Sequence, residues 1–161
     1  MTIINKIHQE KQVIDCDSFH IVSDKYPICK NHLLALSNVE LTCSLDGNRN
    51  NFEKLFEKAD QFYSGRYLFF ERGNASFCTS FDGPYWAHIH FVPEILFNKG
   101  IIDKLKDELS AHLFNITDKK EHYDCEYILF GDSNKIFFKE VDFILPKRFI
   151  RTYLQNELLT K

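Results

Sequence analysis

Apolar residues recur along the chain in two patterns, short runs that predict strands and spaced positions that predict helices. The short runs lie between turn-forming segments, such as the one around Pro27 and the one that begins at Gly131. They predict strands at residues 19–22, 32–37, 66–71, 86–93, 126–130 and 135–138, with a further short strand at residues 39–44.

Three segments carry apolar residues three and four positions apart, which is the spacing of one helix face. They predict helices at residues 51–63, at residues 101–113 and from Pro146 to Leu158. Asn50 is the predicted N-cap of the first helix, and Glu53 three residues later completes a capping-box pattern.

Strands and helices interleave along the chain, and no repeat or low-complexity linker separates them. This order predicts an α+β fold with a mainly antiparallel sheet of five or more strands and two to three helices. A length of 161 residues suits one domain, so we expect residues 1–161 to share one core.

The composition narrows the classes of function. Apolar residues make up 44% of the chain and the net charge is only −3, which argues against disorder and against wrapping nucleic acid. The five cysteines form no C-x-x-C pair, which favours reduced thiols. With neither a signal-peptide pattern nor a membrane-length apolar run, the sequence predicts a cytoplasmic protein.

The segment WAHIHFVP, residues 86–93, carries the candidate chemistry. On a strand, alternate residues share a face, so Trp86, His88, His90 and Val92 are expected to point the same way. Two imidazoles about 7 Å apart on a rigid strand can bind a metal or a phosphate.

A metal site is one interpretation, because His88, His90 and Glu94 form an H-x-H-x-x-x-E pattern that resembles a cupin site. A cupin needs a second histidine motif downstream, and a jelly roll has little place for three helices. The other interpretation is nucleophilic attack of a neutral imidazole on phosphorus, which gives a covalent phosphoramidate.

The sequence resembles the histidine triad (HIT) superfamily of nucleotide hydrolases and transferases. Its signature is His-φ-His-φ-His-φ-φ, which WAHIHFVP matches with Trp86 in place of the first histidine. Upstream, Asp24, Pro27 and His32 match the family's Asp, its Pro turn and the His that opens a strand. Two further segments, FERG at residues 70–73 and LPKRFIR at residues 145–151, are similar to one bacterial branch, so the resemblance spans residues 19–159.

The resemblance implies a HIT-like fold and a role for each matching residue. His88 matches the nucleophile, and His90 matches the histidine that hydrogen-bonds the phosphate. His32 matches a supporting histidine, and Asp24 matches the acid that accepts hydrogen bonds from ribose hydroxyls. Asn74 falls near the family's phosphate-side Asn. A nucleotide or nucleotide conjugate is the implied ligand, with no metal or cofactor required, and a homodimer is the implied assembly.

Two departures from the family pattern leave a second function open. Trp86 replaces the first histidine, and Gly83 stands where many members have a Ser that donates to the phosphate or leaving group. Losing both polar groups favours a slow enzyme, a differently selective one, or a nucleotide-sensing module without turnover. The indole of Trp86 is expected to stack on a base, narrow the pocket or fill the core. The cluster Lys147, Arg148 and Arg151 is a candidate contact for a polyphosphate, or a solvated helix face.

Overall fold

The computed structural model describes residues 10–75 and 86–159, which build one seven-stranded antiparallel sheet. The strand order is β1-β2-β4-β3-β6-β7-β5. The strands are β1 (Phe19–Ser23), β2 (Leu33–Ser37), β3 (Tyr67–Gly73), β4 (His88–Pro93), β5 (His112–Phe114), β6 (Tyr127–Asp132) and β7 (Ile136–Glu140).

Helices pack on both faces of this sheet. They are α1 (Arg49–Phe62), α2 (Ile101–Leu109) and α3 (Phe149–Leu159). The inner face of α1 joins one apolar cluster with the strands, while α2 and α3 join a second cluster on the opposite face. Within the described residues, no helix combines the length and the apolar character needed to cross a membrane.

The central strands are apolar on both faces because both faces are covered. In β3, Phe69 packs with the α1 cluster, and Phe70 packs with the α2 and α3 cluster. In β4, Ile89 and Phe91 belong to the α1 cluster, and Val92 belongs to the other. The alternation predicted from WAHIHFVP is therefore confirmed at these positions.

The predicted class, α+β with an antiparallel sheet, is confirmed, but residues 39–44 do not form the further strand that the sequence predicted. Leu41 makes only an isolated parallel bridge to Trp86, and the 3₁₀ turn Ser44–Asp46 follows. Helix α1 also begins earlier than predicted, because the side chain of Asn48, not that of Asn50, accepts the capping hydrogen bond.

The second helix is shorter than predicted. It ends at Leu109, and Ser110 adopts the left-handed conformation with φ 53°. Leu113 then lies in β5, where it pairs with Phe137 of β7. Pro146 similarly lies outside α3, which begins after Arg148, another left-handed residue with φ 61°.

Candidate functional site

A cavity of about 550 Å³ is lined by residues from strands β1 to β4 and β6 and from the first turn of α3. His88 and His90 both line it, as the strand alternation predicted. The charged residues at its wall include Lys25, Arg148 and Arg151. Its apolar wall comprises Val22, Leu34, Phe70, Ile128, Phe149 and Ile150. Such a mixed cavity suits a ligand with an apolar ring and an anionic group.

His90 is held by its cross-strand neighbours. It pairs with Leu34 on one side and with Phe70 on the other. The Phe70 ring stacks on the imidazole, with centroids 4.6 Å apart and planes 8° apart. Burial lowers the pKa of His90 far below its ordinary value, to about 3, so the ring is neutral at neutral pH.

His88 presents one nitrogen that is free of a proton. Its Nδ1 lies 3.4 Å from the carbonyl oxygen of Trp86, and a carbonyl can only accept a hydrogen bond. The proton of the neutral ring is therefore assigned to Nδ1, which leaves a lone pair on Nε2. Burial lowers the pKa of His88, which keeps its ring neutral at neutral pH.

His32 fixes the tautomer of His90. The backbone N–H of Ile28 donates to Nδ1 of His32 at 3.0 Å, so the proton of this buried ring sits on Nε2. That Nε2 lies 3.0 Å from Nδ1 of His90, which is therefore the acceptor. The remaining nitrogen of His90, Nε2, carries its proton and is the one left to contact a ligand in the cavity.

Asp24 joins the two histidines to α3. Its Oδ2 lies 3.4 Å from Nδ1 of His90, 3.5 Å from Nε2 of His32 and 3.2 Å from Nη2 of Arg151. Burial would raise the pKa of Asp24, but the nearby N–H of His32 and the hydrogen bond that Asp24 accepts from the backbone N–H of Tyr26 hold that pKa well below the ordinary value. Asp24 is therefore ionised at neutral pH.

Asp24, His32 and His90 are also the one group of described residues whose ligand atoms lie close enough to hold a metal ion. The donor set does not fit a metal, because Nε2 of His32 carries a proton for as long as Nδ1 accepts from Ile28. His88, His90 and Glu94 do not come together as such a group, so the cupin-like interpretation gains no support from the described residues.

Three arginines line the cavity, and they differ in what they contact. Arg72 donates to Glu126 and to the carbonyl oxygens of residues 145 and 146, and Arg151 donates to Asp24 and to the carbonyl of Tyr26. Arg148 is exposed, and its guanidinium makes no hydrogen bond or ion pair with the part of the chain that the structure describes. Arg148 is thus the arginine available to an anionic ligand.

Three residues assigned to substrate binding from the sequence, His32, Asn74 and Trp86, do not line the cavity. His32 is buried and contacts His90 instead. The Asn74 amide donates to the carbonyls of Tyr123 and Cys125, both at 2.9 Å, and so fixes the end of β3. Trp86 is half-buried beside Leu41 and does not line the cavity. Gly83 lies outside the described residues.

The carboxyl group of Glu71 lies on the α1 side of the sheet. It accepts hydrogen bonds from the N–H and the hydroxyl of Ser44, at 2.8 and 2.5 Å, and from the hydroxyl of Tyr127 at 2.5 Å. Burial raises the pKa of Glu71 to about 7 against these three donors. The side chain therefore ties β3 to β6 and to the Ser44 turn.

Sequence reasoning did not assign Phe70, Arg72 or Tyr26 to the site. Phe70 and Arg72 stood in the FERG segment, where alternation on a strand places them on the opposite face from Glu71. That alternation was the available signal for both. Tyr26 follows Asp24 in a turn, and no local pattern marks it.

A scan against protein-family models and a search of curated proteins each found no match for this chain.

Proposed function

We propose that this protein is a nucleotide hydrolase or nucleotidyltransferase of the histidine triad type, with His88 as its nucleophile. The observation that carries the proposal is a pair of neutral imidazoles, His88 and His90, that face one cavity with complementary nitrogens. One nitrogen has a lone pair and the other a proton, which suits attack on a phosphate and stabilisation of its oxygens. The resemblance of the sequence to that superfamily adds the expected HIT-like fold.

The reaction has two steps. Nε2 of His88 forms a bond to the α-phosphorus of the nucleotide, and the bond from phosphorus to the leaving group breaks with its electron pair. Nε2–H of His90 donates to a phosphoryl oxygen and stabilises its growing charge. The hydroxyl of water or of another acceptor then attacks phosphorus and releases its proton to the departed leaving group or to solvent. The P–N bond breaks with its electron pair returning to Nε2, which restores neutral His88.

The leaving atom is an oxygen in a phosphoanhydride or phosphoester and a nitrogen in a phosphoramidate. It departs toward Arg148. The positive charge of that exposed guanidinium favours an anionic leaving group. We leave Asn74 and Trp86 out of the ligand contacts, since neither lines the cavity.

The proposal is tested by turnover of a fluorogenic adenosine phosphoramidate and of a dinucleoside polyphosphate. We expect release of AMP by the wild type and a loss of about 10³-fold or more in His88→Ala. His112→Ala is the matched control, because His112 lies in β5 at the far edge of the sheet, and it should retain wild-type rates. Equal rates in the wild type and His88→Ala would contradict the proposal.

A nucleotide-sensing module is the second candidate, and Trp86 in place of the first triad histidine is the observation that favours it. An indole N–H cannot pass a proton to a leaving group at neutral pH. Tight binding of AMP without turnover of either substrate would support this candidate over the hydrolase.

We also propose a homodimer, which rests on the resemblance alone. Sedimentation equilibrium tests it: a mass of twice 19.1 kDa is expected, and a single-chain mass would contradict it. A cytoplasmic location stays a prediction of the sequence.

A further inference from the structure

Both carboxylate oxygens of Asp24 are engaged within the protein. Oδ1 accepts a hydrogen bond from the backbone N–H of Tyr26 at 2.8 Å. Oδ2 accepts from Nη2 of Arg151 at 3.2 Å and lies 3.5 Å from the protonated Nε2 of His32. The side chain is only 6% exposed. Asp24 therefore lines the cavity with its Oδ2 already surrounded by Arg151, His32 and His90.

Arg151 links α3 both to the side chain of Asp24 and to the backbone of the turn that follows β1. Its other terminal nitrogen, Nη1, donates to the carbonyl oxygen of Tyr26. One guanidinium thus binds both the side chain of Asp24 and the backbone two residues later, in the turn between β1 and β2. The Arg151 side chain is 17% exposed, so water competes little for these bonds.

A carboxylate that recognises a ribose offers its oxygens to two neighbouring hydroxyl groups. Here such a diol would have to compete with Arg151 at Oδ2, in a side chain that is only 6% exposed. Displacing Arg151 would separate a largely buried ion pair and leave the guanidinium with only the carbonyl oxygen of Tyr26, which is costly. The hydrogen bonds of neutral sugar hydroxyls are weaker than the charge-assisted contact between Arg151 and Asp24 that they would replace.

We infer that Arg151 withdraws Asp24 from sugar recognition, so that the site accepts ribonucleotides and 2′-deoxyribonucleotides alike. This inference rests on the proposed function, since it concerns the nucleotide bound in that cavity. Arg151 is the specificity-determining residue, and Asp24 is a positioning residue that holds α3 beside His32 and His90. The substrate class is set by phosphate and base, not by the 2′-hydroxyl group.

The other residues that line the cavity can bind a nucleotide through its phosphate and its base, without contacts to the sugar. The exposed guanidinium of Arg148 and the two imidazoles of His88 and His90 can bind phosphate oxygens. The apolar side chains of Phe149 and Ile128 offer a surface to a base. None of these contacts distinguishes a ribose from a deoxyribose.

The test is calorimetric titration of the full chain with AMP and with 2′-deoxy-AMP. We expect dissociation constants within about threefold of each other, whereas a diol held by a free carboxylate gives a preference of about tenfold or more for AMP. A tenfold preference for AMP in the wild type would overturn the inference and leave the proposed function standing. If neither nucleotide binds, the proposed function and the inference fall together.

The same titrations of the variant Arg151→Met form the second part of the test. The substitution removes the guanidinium from Oδ2, so a preference for AMP of about tenfold should emerge. Arg148→Met is the matched control, because Arg148 lines the same cavity without contacting Asp24, and it should weaken both nucleotides equally. Circular dichroism verifies that each variant is folded. An unchanged AMP to deoxy-AMP ratio in folded Arg151→Met would overturn the role given to Arg151.

Discussion

The three buried or half-buried histidines of the site owe their distinct roles to their hydrogen-bond partners. Ile28 fixes the proton of His32, His32 fixes that of His90, and the Trp86 carbonyl fixes that of His88. Burial keeps all three rings neutral at neutral pH. One cavity therefore holds a nitrogen lone pair and an N–H donor without any change of protonation.

The neutral state of His88 predicts the pH dependence of turnover. Because burial lowers the pKa of His88 below its ordinary value of 6.5, the midpoint of the acidic fall in kcat/KM should lie below pH 6.5. Stopped-time assays on both sides of this pH locate the midpoint, with circular dichroism to confirm folding at each pH. An acidic limb centred at or above pH 6.5 would contradict the neutral assignment.

The sequence correctly predicted the positions of some single residues of the site but not the contacts of others. The H-x-H spacing placed His88 and His90 on one face, because alternation is a local property of a strand. The resemblance supplied Asp24 and His32. Nothing local predicts that the Asn74 amide is bound by carbonyls at Tyr123 and Cys125, since these partners lie 49 and 51 residues away in sequence.

At the scale of elements, α3 is attached to the sheet through Arg72. The guanidinium donates to the carbonyl oxygens of Pro146 at 2.8 Å and Leu145 at 3.0 Å, and it pairs with Glu126 at 2.9 Å. The segment it holds leads directly into Arg148 and Arg151. The position of both cavity arginines therefore depends on a residue in β3.

Removing that attachment should loosen α3. We expect Arg72→Met to lower the free energy of unfolding by about 2 kcal/mol, because two carbonyls and a carboxylate lose a charged donor. Amide hydrogen exchange in α3 should become faster. Urea denaturation measures the first effect and mass spectrometry the second.

Glu126→Gln is the matched control for Arg72→Met. It removes only the charge of one partner and leaves both carbonyl contacts in place, so its loss of stability should be smaller. Equal losses in the two variants would show that the link to the segment before α3 contributes nothing.

Strands were predicted better than helix ends. Runs such as YLFF in β3 are apolar on both faces because helices cover both, and this composition is visible locally. The end of α2 is set instead by Ser110 and by pairing of Leu113 with Phe137, a contact between distant segments. The apolar spacing alone therefore extended that helix too far.

At the scale of the molecule, the sheet has α1 on one face and both α2 and α3 on the other. The second face leaves the cavity beside β1, β2 and β4, where the histidines lie. The carboxyl group of Glu71 is held on the first face by Ser44 and Tyr127. The sheet thus lies between the carboxyl group of Glu71 and the histidines of the cavity.

The neutral histidines make stability depend on pH. The pKa of His32 is lowered to about 4 by burial, against 6.5 in the unfolded chain, so the unfolded chain binds more protons between these values. The stabilisation is complete above pH 6.5 and is lost as pH falls toward 4. The wild type should lose about 3 kcal/mol relative to His32→Asn between pH 7 and pH 4.

Urea denaturation at several pH values measures this difference. Glu71, whose pKa is raised to about 7, changes stability in the opposite direction, but its contribution is shared by both proteins and cancels. His122→Ala is the control, since the His122 side chain is 72% exposed, and it should follow the wild type. A difference between wild type and His32→Asn that does not change with pH would contradict a neutral, buried His32.

The central claim is covalent catalysis at His88, and the most direct measurement is the mass of the protein during turnover. The protein is mixed with a dinucleoside polyphosphate and quenched in alkali, where a P–N bond survives. We predict a species heavier by one nucleotidyl group, with the group on His88 in the peptide map, and no such species in His88→Ala. Turnover without this adduct, or an adduct on another residue, would contradict the account.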